Sequence, residues 1–232
     1  MSDFDKLADE YERIHASNIR VSGFDVSYFD EYKIREIHAF LKCENRENQT
    51  ISFLNFGCGI GKSERFIRNY FPHSSIFSVD VSEKSIEVAK ERNKELKNVT
   101  FSTFDGFHIP LEITFDVVFI ANVFHHVPFD KHIPILKNIY QRLNYNGAVF
   151  LFEHKPLNLL TVRTVKMCAF DADAKLLNPF YAKKILSESG FKQSILNFIV
   201  FFPKMFSLFL PYEKYLRKIP LGAQYYYVAR KV

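Results

Sequence analysis

The chain has 232 residues, 47% of them apolar and 25% charged, with a formal net charge of +5. That length suits one substantial domain with a full core and is short for two, and the apolar share excludes a disordered chain. The positive charge is mild and diffuse: it suits acidic or phosphorylated substrates but makes no basic stripe for nucleic acid.

Residues 1–45 read as a helical leader. Leu7, Tyr11 and Ile14 fit a short amphipathic helix, Gly23 marks a break, and residues 28–41 form a second helix. The first fifteen residues are charged and lack the apolar core of a signal peptide. Residues 51–54 then form a short apolar strand, followed by Gly57, Gly59 and Gly61 at alternate positions and a helix over 63–71. Strand, glycine turn and helix make a nucleotide-type cradle, since missing Cβ atoms admit a ligand close to the backbone. The spacing separates three such cradles. A dinucleotide fingerprint needs its third glycine at position 62, where Lys62 stands. A phosphate-binding P-loop would need its first glycine at Phe56.

A second strand over 75–79 ends on Asp80, about 20 residues after the glycine turn, where nucleotide-binding folds place an acid on the ribose hydroxyls. The next segment is a strong helix with Ser82 as its N-cap and Ile86, Ala89 and Leu96 on one face. A third strand covers 99–104 and is followed by Asp105-Gly106-Phe107. Residues 115–121 are nearly all apolar, as in a central parallel strand buried on both faces. Asn122, His125 and His126 follow at its carboxyl end, where open parallel sheets bind their ligands. Adjacent histidines point in different directions. One is therefore structural, and the other faces the acceptor; His126 is the candidate base, since imidazole titrates in the range needed to take a hydroxyl proton. A helix over 134–143, a turn at 144–147 and a fifth strand over 148–152 lead to a second polar strand end, Glu153-His154, the alternative proton-transfer pair. Asp171 and Asp173 sit in a following loop. A helix opens at Asn178-Pro179, a sixth strand covers 192–202, an aromatic insert with Phe206, Phe209, Tyr212 and Tyr215 follows, and residues 224–229 form the last strand.

The G-x-G-x-G turn, the S-V-D-V-S run at 78–82, the D-x-x-x-I-P stretch from Asp105 and the H-H-V stretch at 125–127 together resemble the class I S-adenosylmethionine (SAM)-dependent methyltransferases, in particular the bacterial branch acting on small molecules. The resemblance covers residues 46–232. It implies a Rossmann-like, doubly wound seven-stranded α/β sheet of order 3-2-1-4-5-7-6 with the last strand antiparallel, and a leader lying over the site. It also implies SAM as cofactor, held by Tyr11 (at its carboxylate), Asn55, Gly57, Cys58, Gly59, Gly61, Asp80, Val81, Asp105, Gly106, Phe107 and Asn122, with Asp105 and Phe107 at the adenine. His15 and Lys33 of the leader are further candidates. One departure stands out: Asn55 occupies the place where the family has an acid that orders the glycine loop and holds the cofactor's amino end.

The reading is methyl transfer to a small-molecule acceptor, with oxygen on a sugar or lipid-linked metabolite favoured and His126, His154 or His125 as base. No metal is expected, because no ligand spacing of the usual kind occurs. Cys43, Cys58 and Cys168 show no C-x-x-C pairing, which fits a reducing cytoplasm. Residues 195–210 are broken by Pro203 and Lys204 and too short to span a bilayer. The rivals are a SAM-binding protein without catalysis, an enzyme docked on a membrane through its aromatic insert, a dinucleotide oxidoreductase and a nucleic-acid methyltransferase.

Overall fold

The computed structural model describes residues 23–110, 112–156, 158 and 174–232. Seven strands form one sheet: β1 (Ser52–Phe56), β2 (Ser75–Asp80), β3 (Val99–Thr103), β4 (Phe115–Ala121), β5 (Leu143–His154), β6 (Gln193–Ile199) and β7 (Gln224–Arg230). Their spatial order is β3-β2-β1-β4-β5-β7-β6. The neighbours from β3 to β5 pair in parallel, and β7 runs antiparallel to both β5 and β6. The expected sheet is therefore the observed one.

Strict alternation along the central strands builds two cores. On one face, Phe53 of β1, Val117 and Phe119 of β4, Phe150 and Phe152 of β5 and Tyr226 of β7 pack in a cluster. Their alternate neighbours Leu54, Val118, Ile120, Leu151 and Tyr225 form the cluster on the other face. A strand buried on both sides needs apolar residues at every position, which is why the β4 run is continuous. Helix α1 (Val26–Cys43) covers the first face with Ile34, Ile37 and Leu41, each fully buried. Beside it lies α2 (Glu64–Tyr70), which buries Ile67. Helix α3 (Glu83–Arg92) links β2 to β3, and Ser82 caps it by accepting from the Ser85 amide. On the second face lie α4 (Phe129–Arg142) and α5 (Pro179–Glu188), the latter capped by Asn178 with Pro179 at its first position.

The leader expected over the site spans residues 1–45, of which 1–22 lie outside the described residues. The rest of the leader, α1, is a layer of the core. Several boundaries also differ from expectation, two of them for a visible reason. Helix α4 begins at Phe129 and carries Pro134 within it; the proline has no N–H to give the carbonyl of Asp130, an exposed residue near the helix start. The turn expected at 144–147 is absorbed into β5 as an irregularity: Phe115 pairs with Leu143, but Val117 pairs with Ala148. Asn146 takes a left-handed φ of 60° there, and Asn144 donates to Asp116.

The aromatic insert between β6 and β7 contains a 3-10 stretch (Lys204–Tyr212) and the short helix α6 (Glu213–Leu216). Met205 and Leu208 are each 81% exposed, and Tyr212 and Tyr215 are also exposed. In register, His154 of β5 and Ile199 of β6 both face Gln224 of β7. The insert therefore rises from the same end of the sheet as the β1, β4 and β5 carboxyl ends. No helix among the described residues is long and apolar enough to cross a membrane.

Candidate active site

The glycine turn crosses from β1 toward β2 and is pinned there by its own backbone. Gly57 and Cys58 both donate to the Val79 carbonyl, at 2.8 and 3.0 Å, and Gly61 donates to Cys58 at 3.1 Å. The three glycines answer three different needs. A Cβ on Gly57 would lie 2.5 Å from Val123 Cγ2, so this glycine lets the cradle touch the turn after β4. One on Gly61 would lie 2.6 Å from Asn93 Nδ2 and 2.8 Å from Ala89 Cβ, so Gly61 admits α3 against the loop. Gly59 has a φ of +52° and nothing within 4 Å of its missing Cβ. It leaves open space for a ligand at the crest of the loop.

Asp80 closes the cradle. Its Oδ2 accepts from the Gly59 amide at 2.7 Å and its Oδ1 from the Ser82 amide at 3.0 Å. A carboxylate has about four acceptor sites. Beyond it, Val81 is 43% exposed, and a Cβ on Gly106 would come within 3.2 Å of Val81 Cγ1. Gly106 therefore keeps open the slot between these two strand ends, with Phe107 half-buried at its side.

Asp105 is committed to its own loop. Its Oδ2 pairs with His108 Nδ1 at 2.7 Å, and its Oδ1 accepts from the amides of Phe107 and His108. His108 and those amides hold the carboxyl down to about 2. Asn122, at the end of β4, takes a left-handed φ of 56°, and its Oδ1 is buried with no hydrogen-bond partner among the described residues. An open glycine crest, a carboxylate at the ribose position and an orphaned amide oxygen fit SAM.

The imidazoles gather next to this cradle. His125 and His126 lie on a 3-10 turn (Phe124–His126) that begins three residues beyond β4. His125 is buried, and its Nδ1 meets Glu153 Oε2 at 2.6 Å; the other oxygen of Glu153 accepts from the Phe124 amide at 2.9 Å. Glu153 is fully buried on β5. The rings of His126 and His154 lie 4.2 and 5.6 Å from that of His125. His126 and His154 are half-buried, and the Gln224 amide lies 3.4 Å from His154 Nδ1. Of the expected candidate pair Glu153 and His154, Glu153 meets His125. Neighbouring strand residues point to opposite faces, which puts Glu153 on the side of the His125 turn.

Three further residues contribute, of which only Lys33 is a candidate from the sequence. His132 of α4 is fully buried; its Nε2 lies 3.0 Å from the carbonyls of both Phe124 and Val127 and clamps the imidazole turn. Burial holds its pKa below the usual value. Its signal was position alone, on the first turns of a helix one loop after the His pair. Lys33 of α1 is 4% exposed; burial lowers its pKa against the opposing pull of Asp30 and Glu153, which places it in the field of the site. Glu64, the first residue of α2, is fully buried beneath the glycine loop, where its Oε1 accepts from Asn55 Nδ2 at 2.8 Å. Tyr11, His15, Asp171 and Asp173 lie outside the described residues. Among the described residues, no group of three or more His, Cys, Asp or Glu is arranged to hold a metal ion.

A sheet of this order with β7 reversed, and a glycine cradle at the end of β1, make the Rossmann-like fold found in class I methyltransferases. A family model described as "Methyltransferase domain" matches residues 54–149, from the middle of β1 into β5. Among curated proteins, the chain is 32% identical over 136 residues to a malonyl-[acyl-carrier protein] O-methyltransferase of Bacillus cereus, covering 56% of this chain and 49% of that one. It is 24% identical over 156 residues to a demethylmenaquinone methyltransferase of Thermotoga maritima, covering 67% and 61%. The chain thus spans about half the length of the malonyl-[acyl-carrier protein] relatives it matches. Among solved structures, it superposes on a SAM-dependent methyltransferase of Thermotoga maritima, described as a possible histamine N-methyltransferase. That match has a TM-score of 0.70 at 18% identity and covers 99% and 98% of the two chains. Magnesium protoporphyrin IX methyltransferase from Synechocystis, solved with S-adenosylhomocysteine (SAH), superposes with a TM-score of 0.62 at 16% identity, covering 96% and 93%.

Proposed function

We propose that the protein transfers a methyl group from SAM to a hydroxyl oxygen of a small-molecule acceptor, a sugar or lipid-linked metabolite. The observation that carries this reading is the contact between cradle and imidazole turn. Gly57 has no room for a Cβ against Val123, so the loop that would hold the cofactor and the turn that bears the histidines are neighbours. When bound, SAM supplies an electrophilic methyl group on a sulfonium that departs as a neutral thioether. The chain's own residues do the rest. Gly57, Gly59 and Asp80 hold the cofactor's adenosyl part, and Asn122 orients polar groups at the end of β4. His126, half-exposed, takes the hydroxyl proton as the oxygen attacks. Glu153 anchors His125 through its hydrogen bond to the ring.

A carboxylate acceptor arrives ionised and needs no base, whereas a hydroxyl must lose its proton. Three converging imidazoles therefore favour a hydroxyl. The malonyl-[acyl-carrier protein] relatives, O-methyltransferases by name, support an oxygen acceptor. The exposed apolar insert at the ligand end of the sheet supports an acceptor with an apolar part. The test is transfer of labelled methyl from SAM to paired free and lipid-linked hydroxy acceptors, with the product treated with base. A base-stable methyl ether supports the reading. A base-labile methyl ester, or label on nitrogen or carbon, overturns it.

A further inference from the structure

We infer that Glu64 is the positioning residue that supplies the negative charge under the glycine loop, in exchange for the acid that Asn55 lacks. This rests on the SAM-dependent reading above. Asn55 stands two residues before the first glycine of the turn, 3% exposed, in register beside Ser78 of β2. An amide there carries no charge. The carboxylate is nevertheless present, brought from the other side of the loop by the first residue of α2. Asn55 Nδ2 and Ser78 Oγ both donate to one oxygen of Glu64, at 2.8 and 2.6 Å. The second oxygen, Oε2, is buried and accepts no hydrogen bond among the described residues.

That geometry is wasteful for a purely structural group. A buried carboxylate with one oxygen unmatched costs stability. Burial pushes the Glu64 pKa up, the bonds from Ser78 and Asn55 pull it down, and Asp30 on α1 adds to the rise. The thiol of Cys58, in the loop itself, is raised first by burial and then by Glu64 and Asp80, so the Glu64 charge is felt at the cradle. A negative field beneath the loop favours the cationic amino group that SAM and SAH share. An uncharged Asn55 and a charged Glu64 also avoid two carboxylates at hydrogen-bond distance.

The test is a reciprocal exchange read by SAH titration calorimetry and by thermal unfolding without ligand. Glu64→Gln keeps an acceptor for Asn55 and Ser78 and removes the buried charge. It is expected to hold or raise the melting temperature while weakening SAH binding roughly tenfold or more. Asn55→Asp alone sets two carboxylates against each other and is expected to lower the melting temperature. The double variant Asn55→Asp/Glu64→Gln restores the charge from the strand side and is expected to bring both readouts back toward wild type. If Glu64→Gln lowers the melting temperature and leaves SAH affinity unchanged, Glu64 is structural only and the inference is overturned; failure of the double variant to rescue overturns the exchange. A wild type that binds neither SAM nor SAH sinks the cofactor reading itself. The exchange is then decided by stability alone: Asn55→Asp must destabilise and the second substitution must restore.

Discussion

The site has two halves made in different ways. The cradle at the ends of β1 and β2 is largely backbone: glycines placed by steric need, amides bonded to Val79 and Asp80, and an open crest at Gly59. The imidazole half at the ends of β4 and β5 is made of side chains: Glu153 on His125, His132 on the carbonyls of the turn, and Gln224 beside His154. A half built from backbone depends on what is absent at a few positions. A half built from side chains depends on partners far apart in sequence, and it tolerates change in position less than change in solvent. The two halves should therefore fail differently.

The largest effect is expected at the hinge of the cradle. Asp80→Ala removes the ribose acceptor and the anchor of the Gly59 and Ser82 amides together, and SAH affinity should fall by about 100-fold or more, measured by calorimetry. A smaller loss would mean that the loop amides, not the carboxylate, hold the ligand. On the other side, His126→Ala should lower kcat by roughly 10²-fold while SAH affinity stays unchanged; Glu153→Gln should do the same more weakly, through His125. Loss of SAH binding in His126→Ala would erase the distinction between the halves. Gly61→Ala forces a methyl against Asn93 and Ala89 at a left-handed φ, and should cost about 1–3 kcal/mol of stability in chemical denaturation.

The smallest effect tests the clamp. The pKa of His132 is held down by burial, so the unfolded chain binds its proton more readily than the fold does. The stability it contributes is present above the ordinary histidine pKa of about 6.5 and is lost as the pH falls below that value. Thermal unfolding of His132→Gln between pH 7.5 and 5 should show a flatter fall than wild type. An unchanged slope would remove His132 from the account of the turn.

This contrast also explains what the sequence disclosed. The fold was legible because strand alternation, glycine punctuation and helix caps are local: Ser82 and Asn178 cap the helices they precede, and the order of the strand-end motifs follows the chain. The glycine turn and the position of Asp80 at the end of β2 were legible for the same reason. The partners of the imidazoles were not. Glu153 lies 28 residues from His125, and which of two adjacent histidines it meets depends on the pitch of a three-residue turn. The function of Glu64 was hidden by register: no local rule says that Asn55 and Ser78 stand side by side and converge on a helix residue between them in sequence. Asp105 shows another local pattern, a motif acid whose carboxylate accepts from its own loop.

The reversed β7 carries a consequence for how the chain is made. It lies between β5 and β6, and it is the strand through which β6 joins the sheet. During synthesis every other strand, and the whole cradle, leaves the ribosome before residues 224–230 do. Until then β5 offers an unpaired edge, and β6 with its apolar insert is tethered but undocked. A nascent chain at that stage resembles an open zipper, prone to pair with a neighbour on the same message. The final strand acts as a latch, and translation stalled just before it should yield the most aggregation-prone intermediate of this protein.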